Sequence, residues 1–279
     1  MKKAATRALP GPAWDDLDDV VIGERPDAEI LIVMNEPVPF DAYPAVRLVA
    51  NFSVGYDRID VDECRARGIA VTNTPGVLDA AVADLTMALL LAVRRRVAEG
   101  DRTIRAGGWA LPALGREVTG ATLAIVGMGR IGAAVERRAA GFDMRVVGVR
   151  SREGDLEAAL READIVSVHT PLNDATRGLI SRERLALLQD GATLVNTARG
   201  AVVDEDALVD ELVSGRITAG LDVFVHEPHV PQRLLGLPNV VLTPHIASAT
   251  TETRAAMTRI VVDNVLAFKR GEPLLTPVT

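Results

Sequence analysis

Apolar residues fall into two rhythms along this chain. Between residues 120 and 244 short apolar runs recur at 123–126, 145–149, 164–168, 192–196, 218–223 and 240–243, with helical patterns between most of them. Six strands in strand–helix alternation predict an α/β fold built on a doubly wound parallel sheet, buried on both faces. Residues 1–76 read differently. Strand-like pieces at 3–9, 20–22, 30–34, 47–52 and 69–71 are separated by breakers such as Pro10-Gly11-Pro12, with a short helix at 60–67. The interval before Ile30 is too short for a helix of ordinary length, so this second, smaller α/β domain has thin helical cover. Residues 77–98 form the longest helical candidate, apolar on nearly every side through Ala80, Ala81, Val82, Leu85, Leu89 and Val93. A helix with so little polar face must be covered. It is expected to join the domains and to touch a second subunit. A last helix, about 251–269, carries Ile260, Val261, Val265, Leu266 and Phe268 inward and stops at Gly271 with Pro273 beyond it. The expected division is therefore a domain of residues 1–76 completed by 249–279, and a second of residues 77–248.

Composition narrows the class without choosing an activity. A chain of 279 residues that is 48% hydrophobic can supply two cores. Its net charge of −7, with no long basic run, speaks against nucleic acid or an anionic membrane as a partner. The run from Leu85 to Val93 is far shorter than the ~20 residues of a membrane span. Cys64 is the single cysteine, which excludes an intrachain disulfide and fits a reducing compartment. Met1-Lys2-Lys3 leads into no apolar core of signal-peptide type, so a cytoplasmic protein is expected.

The chemistry starts at Gly127-Met128-Gly129-Arg130-Ile131-Gly132, a G-x-G-x-x-G run between an apolar strand and a helical pattern. Gly127 permits the tight turn, Gly129 lets the backbone approach a pyrophosphate, and Gly132 lets helix and strand pack closely. Free N–H groups at the helix start, at Arg130 and Ile131, then face an anion. Ligands of such sheets lie beyond the carboxyl ends of the strands, so the residues just after each strand come next. They are Arg150-Ser151-Arg152, His169-Thr170-Pro171, Thr197-Ala198-Arg199-Gly200, Asp222 with the loop holding Glu227, and Thr243-Pro244-His245. Arg199 can grip a carboxylate bidentately or polarise a carbonyl. His245 can give a proton to that oxygen as hydride arrives, and Glu227 favours the imidazolium that does so. The trio suits reduction of a 2-keto acid. Two arginines, Arg150 and Arg152, stand with Ser151 where NAD enzymes place an acid, so NADPH (NADP) is expected over NADH. His226, Glu227 and His229 resemble ligand spacing, yet Pro228 disrupts any helical face, and no metal is expected.

These residues stand in V-A-N-F-S-V-G-Y-D-R-I-D, V-T-N-T-P-G-V-L, G-M-G-R-I-G, H-T-P-L, N-T-A-R-G, L-D-V-F-V-H-E-P and T-P-H-I-A-S-A-T. The set resembles the D-2-hydroxyacid dehydrogenases, and among them the NADPH-dependent glyoxylate/hydroxypyruvate reductases, from about Arg47 onward. The resemblance implies a Rossmann cofactor domain beside a flavodoxin-like substrate domain, shortened here. It implies Arg199, Glu227 and His245 as the catalytic set, with His245 the acid/base. Substrate carboxylate would be received by backbone at Val54 and Gly55 beside Arg199 and His245, and Asp222 would hold the nicotinamide amide. Thr170, Pro171, Thr197 and Ala198 would line the cofactor cleft, in a homodimer built through the cofactor domain. Another D-2-hydroxyacid or phosphoglycerate-type dehydrogenase, and a non-catalytic nucleotide-sensing protein of the same fold, are the alternatives.

Overall fold

The computed structural model describes residues 1–110, 113–150 and 156–279. In chain order the elements are β1 (Lys3–Ala5), β2 (Val20–Ile22), β3 (Ile30–Val33), β4 (Leu48–Asn51), α1 (Val61–Ala66), β5 (Ala70–Thr72), α2 (Asp79–Arg94), α3 (Val97–Arg105), β6 (Thr122–Val126), α4 (Arg130–Ala139) and β7 (Arg145–Val149). There follow α5 (Leu156–Glu162), β8 (Ile165–Val168), α6 (Arg182–Leu185), β9 (Thr193–Asn196), α7 (Glu205–Val213), β10 (Thr218–Leu221), β11 (Val240–Leu242) and α8 (Thr251–Arg270). They divide into two compact units, one of Met1–Leu78 with Ser248–Thr279 and one of Asp79–Ala247.

The larger unit is a six-stranded sheet in the order β11-β10-β9-β8-β6-β7, with every pairing parallel. Period-two alternation sends Ala124 and Val126 of β6 into one core with Leu160, Leu185 and Leu212, and Leu123 and Ile125 into another with Leu90, Val135 and Met87. Both faces are therefore dry, as an all-parallel sheet requires. On the second face α2 lies against β9, β10 and β11. A methyl group on Gly220 would come 2.9 Å from the Cβ of Leu89, so the strand admits the helix only where it lacks a side chain.

One expected helix becomes two. The run read as 77–98 ends as α2 at Arg94, and Arg96 takes a left-handed backbone (φ 55°) before α3 begins. Arg94 itself is buried, its guanidinium donating to the carbonyl of Glu117 at 2.6 Å. Arg94 thus ties the end of α2 to the segment leading into β6.

The smaller unit holds five parallel strands, ordered β2-β1-β3-β4-β5. No helix joins β2 to β3, as the short interval predicts. Ala4, Leu31, Val33, Val49 and Val71 pack on one face with Phe40, Ile59 and Cys64. The alternate residues Ile30, Ile32, Leu48 and Ala50 are buried on the other, where α8 packs on β4 and on the turn Pro12–Asp16. Thr250 caps α8 by accepting from Thr253 N–H, and Gly271 (φ 69°) ends it. The strand read at 3–9 closes after Ala5.

Candidate active site

Parallel strands put all their carboxyl ends on one edge, and in the larger unit three of those ends carry the expected trio. Arg199 follows β9 in extended conformation, its Nη1 donating to the Ala198 carbonyl at 2.8 Å. The next residue decides where it goes. A Cβ on Gly200 would fall 2.2 Å from the carbonyl carbon of Phe224 and 2.5 Å from the nitrogen of Val225, so only glycine lets the Arg199 turn rest on the loop that carries Glu227. Glu227 Oε1 accepts from the N–H of Phe224 at 3.0 Å, and Oε2 lies 2.8 Å from His245 Nδ1. With Nδ1 so engaged, Nε2 is the nitrogen left for proton exchange, on a side chain that is 44% exposed.

His245 stands in the left-handed region (φ 53°), which costs a residue with a Cβ roughly 1–2 kcal/mol. Asp222 offsets that. Its backbone carbonyl accepts the N–H of His245 at 2.9 Å; its buried carboxylate accepts Thr243 Oγ1 at 2.6 Å, Ile246 N–H at 2.8 Å and Ala247 N–H at 2.9 Å. The resemblance assigns this carboxylate to a nicotinamide amide, and in the structure it closes the turn that presents the histidine. Burial raises the Asp222 carboxyl above its ordinary value, with the donated bonds only partly opposing it. Glu227 goes the other way. Burial pushes it up, but the His245 bond, the Phe224 N–H and the charges of His245 and Arg199 together bring it below the ordinary carboxylate range. An ionised carboxylate thus stands between a guanidinium and an imidazole.

The glycine turn lies at the switch point of the same sheet, where β6 sits between β7 and β8. Gly127 has φ 105°, and a Cβ there would meet the carbonyl of His169 at 2.7 Å; one on Gly132 would meet the carbonyl oxygen of Gly127 at 2.3 Å. Gly129 faces open space. On the same edge the hydroxyl of Thr170 is buried with no partner among the described residues. A positive-φ turn, an open glycine before a helix N-terminus and an orphaned hydroxyl fit a bound dinucleotide. Arg130 is exposed and pairs with Asp79 at 3.2 Å, Ile131 is half-buried, Pro171 is exposed, and Thr197 Oγ1 lies 3.0 Å from Thr86 Oγ1 beside half-buried Ala198. Arg150 is exposed just beyond β7; Ser151 and Arg152 lie outside the described residues. His226 and His229 close a tight turn, the latter's N–H donating to the former's carbonyl at 2.8 Å. Among the described residues no cluster of three His, Cys, Asp or Glu could hold a metal ion.

In the smaller unit the loop after β4 carries Val54 and Gly55, both half-buried. The N–H groups of Ser53, Val54 and Gly55 meet no protein acceptor among the described residues, while their carbonyls do find donors. Sequence reasoning passed over those donors, Asn51 and Asn73, as it passed over Gly200 and Thr243. The N-T-P-G and T-P-H runs were visible, but nothing in spacing says which backbone group a side-chain amide or hydroxyl will meet.

An edge of this kind defines a dinucleotide-dependent oxidoreductase. Residues 87–247 match the NAD-binding domain of the D-isomer specific 2-hydroxyacid dehydrogenases, and the chain belongs to that family. It is accordingly an enzyme that interconverts a 2-hydroxyacid and its 2-keto acid. It is 48% identical over 276 residues to a glyoxylate reductase of Korarchaeum cryptofilum, covering 91% of this chain and 83% of that one. A glyoxylate reductase of Pyrococcus furiosus is 46% identical over 92% of this chain and 81% of its own length. Among solved structures, an NADPH-dependent glyoxylate/hydroxypyruvate reductase of Sinorhizobium meliloti, in complex with NADP and malonate, superposes with a TM-score of 0.88 at 36% identity, over 100% of this chain and 97% of that chain.

Proposed function

We propose that this chain reduces small 2-keto acids, glyoxylate to glycolate and hydroxypyruvate to D-glycerate, with NADPH preferred over NADH. The observation that carries the reading is the 2.8 Å contact of Glu227 with His245 Nδ1, on a carboxylate that also feels the charge of Arg199. When bound, the nicotinamide supplies hydride to C2 of the keto acid. His245 Nε2 delivers the proton to the carbonyl oxygen, and in the reverse direction takes it back. Glu227 holds the ring by Nδ1 and so fixes its orientation. Arg199 draws electron density toward the carbonyl oxygen as negative charge grows there. The N–H groups of Val54 and Gly55, which meet no protein acceptor among the described residues, are read as the backbone that receives a carboxylate. Arg150, with Ser151 and Arg152 beside it in the sequence, would favour the 2′-phosphate of NADPH, and the N–H groups of Arg130 and Ile131 at the start of α4 would hold the pyrophosphate.

The names of the relatives support the substrates, and the NADP complex of the Sinorhizobium enzyme supports the cofactor. Exposed apolar side chains collect on and after α3, with Val97 and Ile104 more than half exposed, Trp109 at 88% and Leu114 at 91%. They support a homodimer formed through this arm, and sedimentation as a monomer at micromolar concentration would overturn it. The single, buried cysteine supports a cytoplasmic setting.

The decisive experiment measures kcat/KM for glyoxylate, hydroxypyruvate, pyruvate and phosphohydroxypyruvate with NADPH and with NADH, in the native chain and in His245→Gln. The substitution lowers turnover by about 10²–10⁴-fold while leaving the Kd for NADPH nearly intact. Unchanged turnover removes His245 from the mechanism. A higher kcat/KM with NADH than with NADPH overturns the cofactor preference.

A further inference from the structure

The peptide group is planar and trans, so its C=O and N–H point in opposite directions. Fixing one fixes the other. The Ser53 carbonyl, which shares a peptide with the Val54 N–H, accepts from Thr74 N–H at 3.0 Å and from Asn51 Nδ2 at 3.3 Å. The Val54 carbonyl, which shares a peptide with the Gly55 N–H, accepts from Asn73 Nδ2 at 2.9 Å. Asn51 Nδ2 also donates to the Gly55 carbonyl at 2.9 Å, and Asn51 Oδ1 is itself fixed by the N–H of Asn35 at 2.8 Å. Inward-drawn carbonyls leave the two N–H groups aimed outward.

Asn73 is in turn clamped by the segment that follows α8. Its N–H donates to the Thr276 carbonyl at 3.3 Å, and its carbonyl accepts Thr276 Oγ1 at 2.6 Å. Behind Thr276 lies Asn264 of α8, fully buried. Its Oδ1 accepts the N–H groups of Leu275 (3.0 Å) and Thr276 (3.2 Å), and its Nδ2 donates to Thr276 Oγ1 (3.0 Å) and to the Ile260 carbonyl (2.8 Å). Every polar site of that amide is used. The same segment continues as an antiparallel cover on β5, where Val278 N–H donates to the Val71 carbonyl at 2.8 Å and Pro277 bridges Thr72.

We infer that Asn73, held by Thr276 and Asn264, is a positioning residue for the keto acid: it aims the Gly55 N–H at the substrate carboxylate and so sets affinity for substrate from outside the reacting centre. The inference rests on the reading of Val54 and Gly55 as the carboxylate-receiving backbone. A fixed dipole acts on the carboxylate in ground and transition states alike, so its loss moves KM and spares kcat.

The test compares Asn73→Ala, Thr276→Val, Thr276→Ser and Gly55→Pro in the full-length chain, reading KM for the keto acid, kcat, KM for NADPH and the unfolding midpoint. Asn73→Ala raises the keto acid KM by about tenfold, with kcat and the NADPH KM nearly unchanged. Thr276→Val raises it by a smaller factor and Thr276→Ser, which keeps the hydroxyl, restores it. Gly55→Pro removes the N–H itself. If Gly55→Pro leaves KM unchanged, the carboxylate reading fails; if Gly55→Pro raises KM but Asn73→Ala does not, this inference alone fails. A lowered midpoint in Asn73→Ala or Thr276→Val with unchanged KM shows a purely structural clamp and overturns it.

Discussion

The two units differ in the kind of group their strand ends present. In the larger one the groups proposed to act are charged side chains at strand ends, Arg199, Glu227 and His245, each in the reach of another's charge. In the smaller one they are backbone N–H groups, aimed by the amides of Asn51 and Asn73. A proton that must change hands needs a group with a titratable nitrogen. A carboxylate that is only recognised needs no more than a fixed dipole. Damage to the larger unit should therefore fall on turnover, and damage to the smaller on substrate affinity.

Arg199→Lys puts this contrast under the greatest load. Lysine keeps the charge but loses the planar fork, and the geometry that Gly200 provides was built for the longer group. Steady-state rates with glyoxylate should show kcat/KM lower by about 10²–10³-fold, with kcat carrying most of the change. A pure KM effect would move Arg199 to the recognition side and erase the distinction between the units. Glu227→Gln comes next. Its carboxyl lies below the ordinary range, so in the native chain the negative charge beside Nδ1 persists down through mildly acid pH. Without that charge the ring loses the carboxylate that holds Nδ1, and proton delivery to the carbonyl oxygen weakens. Turnover with glyoxylate should be lower by roughly tenfold to a hundredfold. Unchanged turnover would make Glu227 a loop anchor through its Phe224 bond and nothing more.

The sequence revealed these units unequally, and for a physical reason. Strand periodicity, the glycine turn and charged residues at strand ends are local patterns, so the six-stranded sheet and the trio could be read directly. The missing helix between β2 and β3 followed from chain length alone. The break between α2 and α3 did not, because Arg96 carries no glycine-like signal for the left-handed backbone it adopts. Nor did the carboxylate of Asp222, whose three donors come from a turn more than twenty residues away in sequence. Backbone sites are the hardest of all: Val54 and Gly55 have no chemistry of their own, and only resemblance singled them out. What aims them, Asn73 on Val54 and Thr276 on Asn73, spans 203 residues of chain.

The smallest effect concerns another histidine of the larger unit's edge. His169 follows β8 with its Nε2 2.7 Å from Ser167 Oγ, and burial lowers it from 6.5 to about 4. Where His245 is exposed and has Glu227 beside it, His169 is enclosed and has no acid, so it stays neutral through the working range. The sign of the consequence follows from linkage. Between pH 6.5 and about 4 the unfolded chain binds a proton at this residue that the folded chain does not, so stability is full above that window and declines as pH falls through it. The Glu227 contribution is lost as pH falls below the ordinary value of 4.5, because its carboxyl is held below that value in the folded chain. Urea midpoints measured across this span should drop for the native chain and drop less for His169→Gln, while kcat at neutral pH changes little in that variant. A native midpoint that holds constant from pH 6.5 to 4 would mean that His169 takes up its proton in the folded state, and the division between a buried structural imidazole and an exposed reactive one would have to be redrawn.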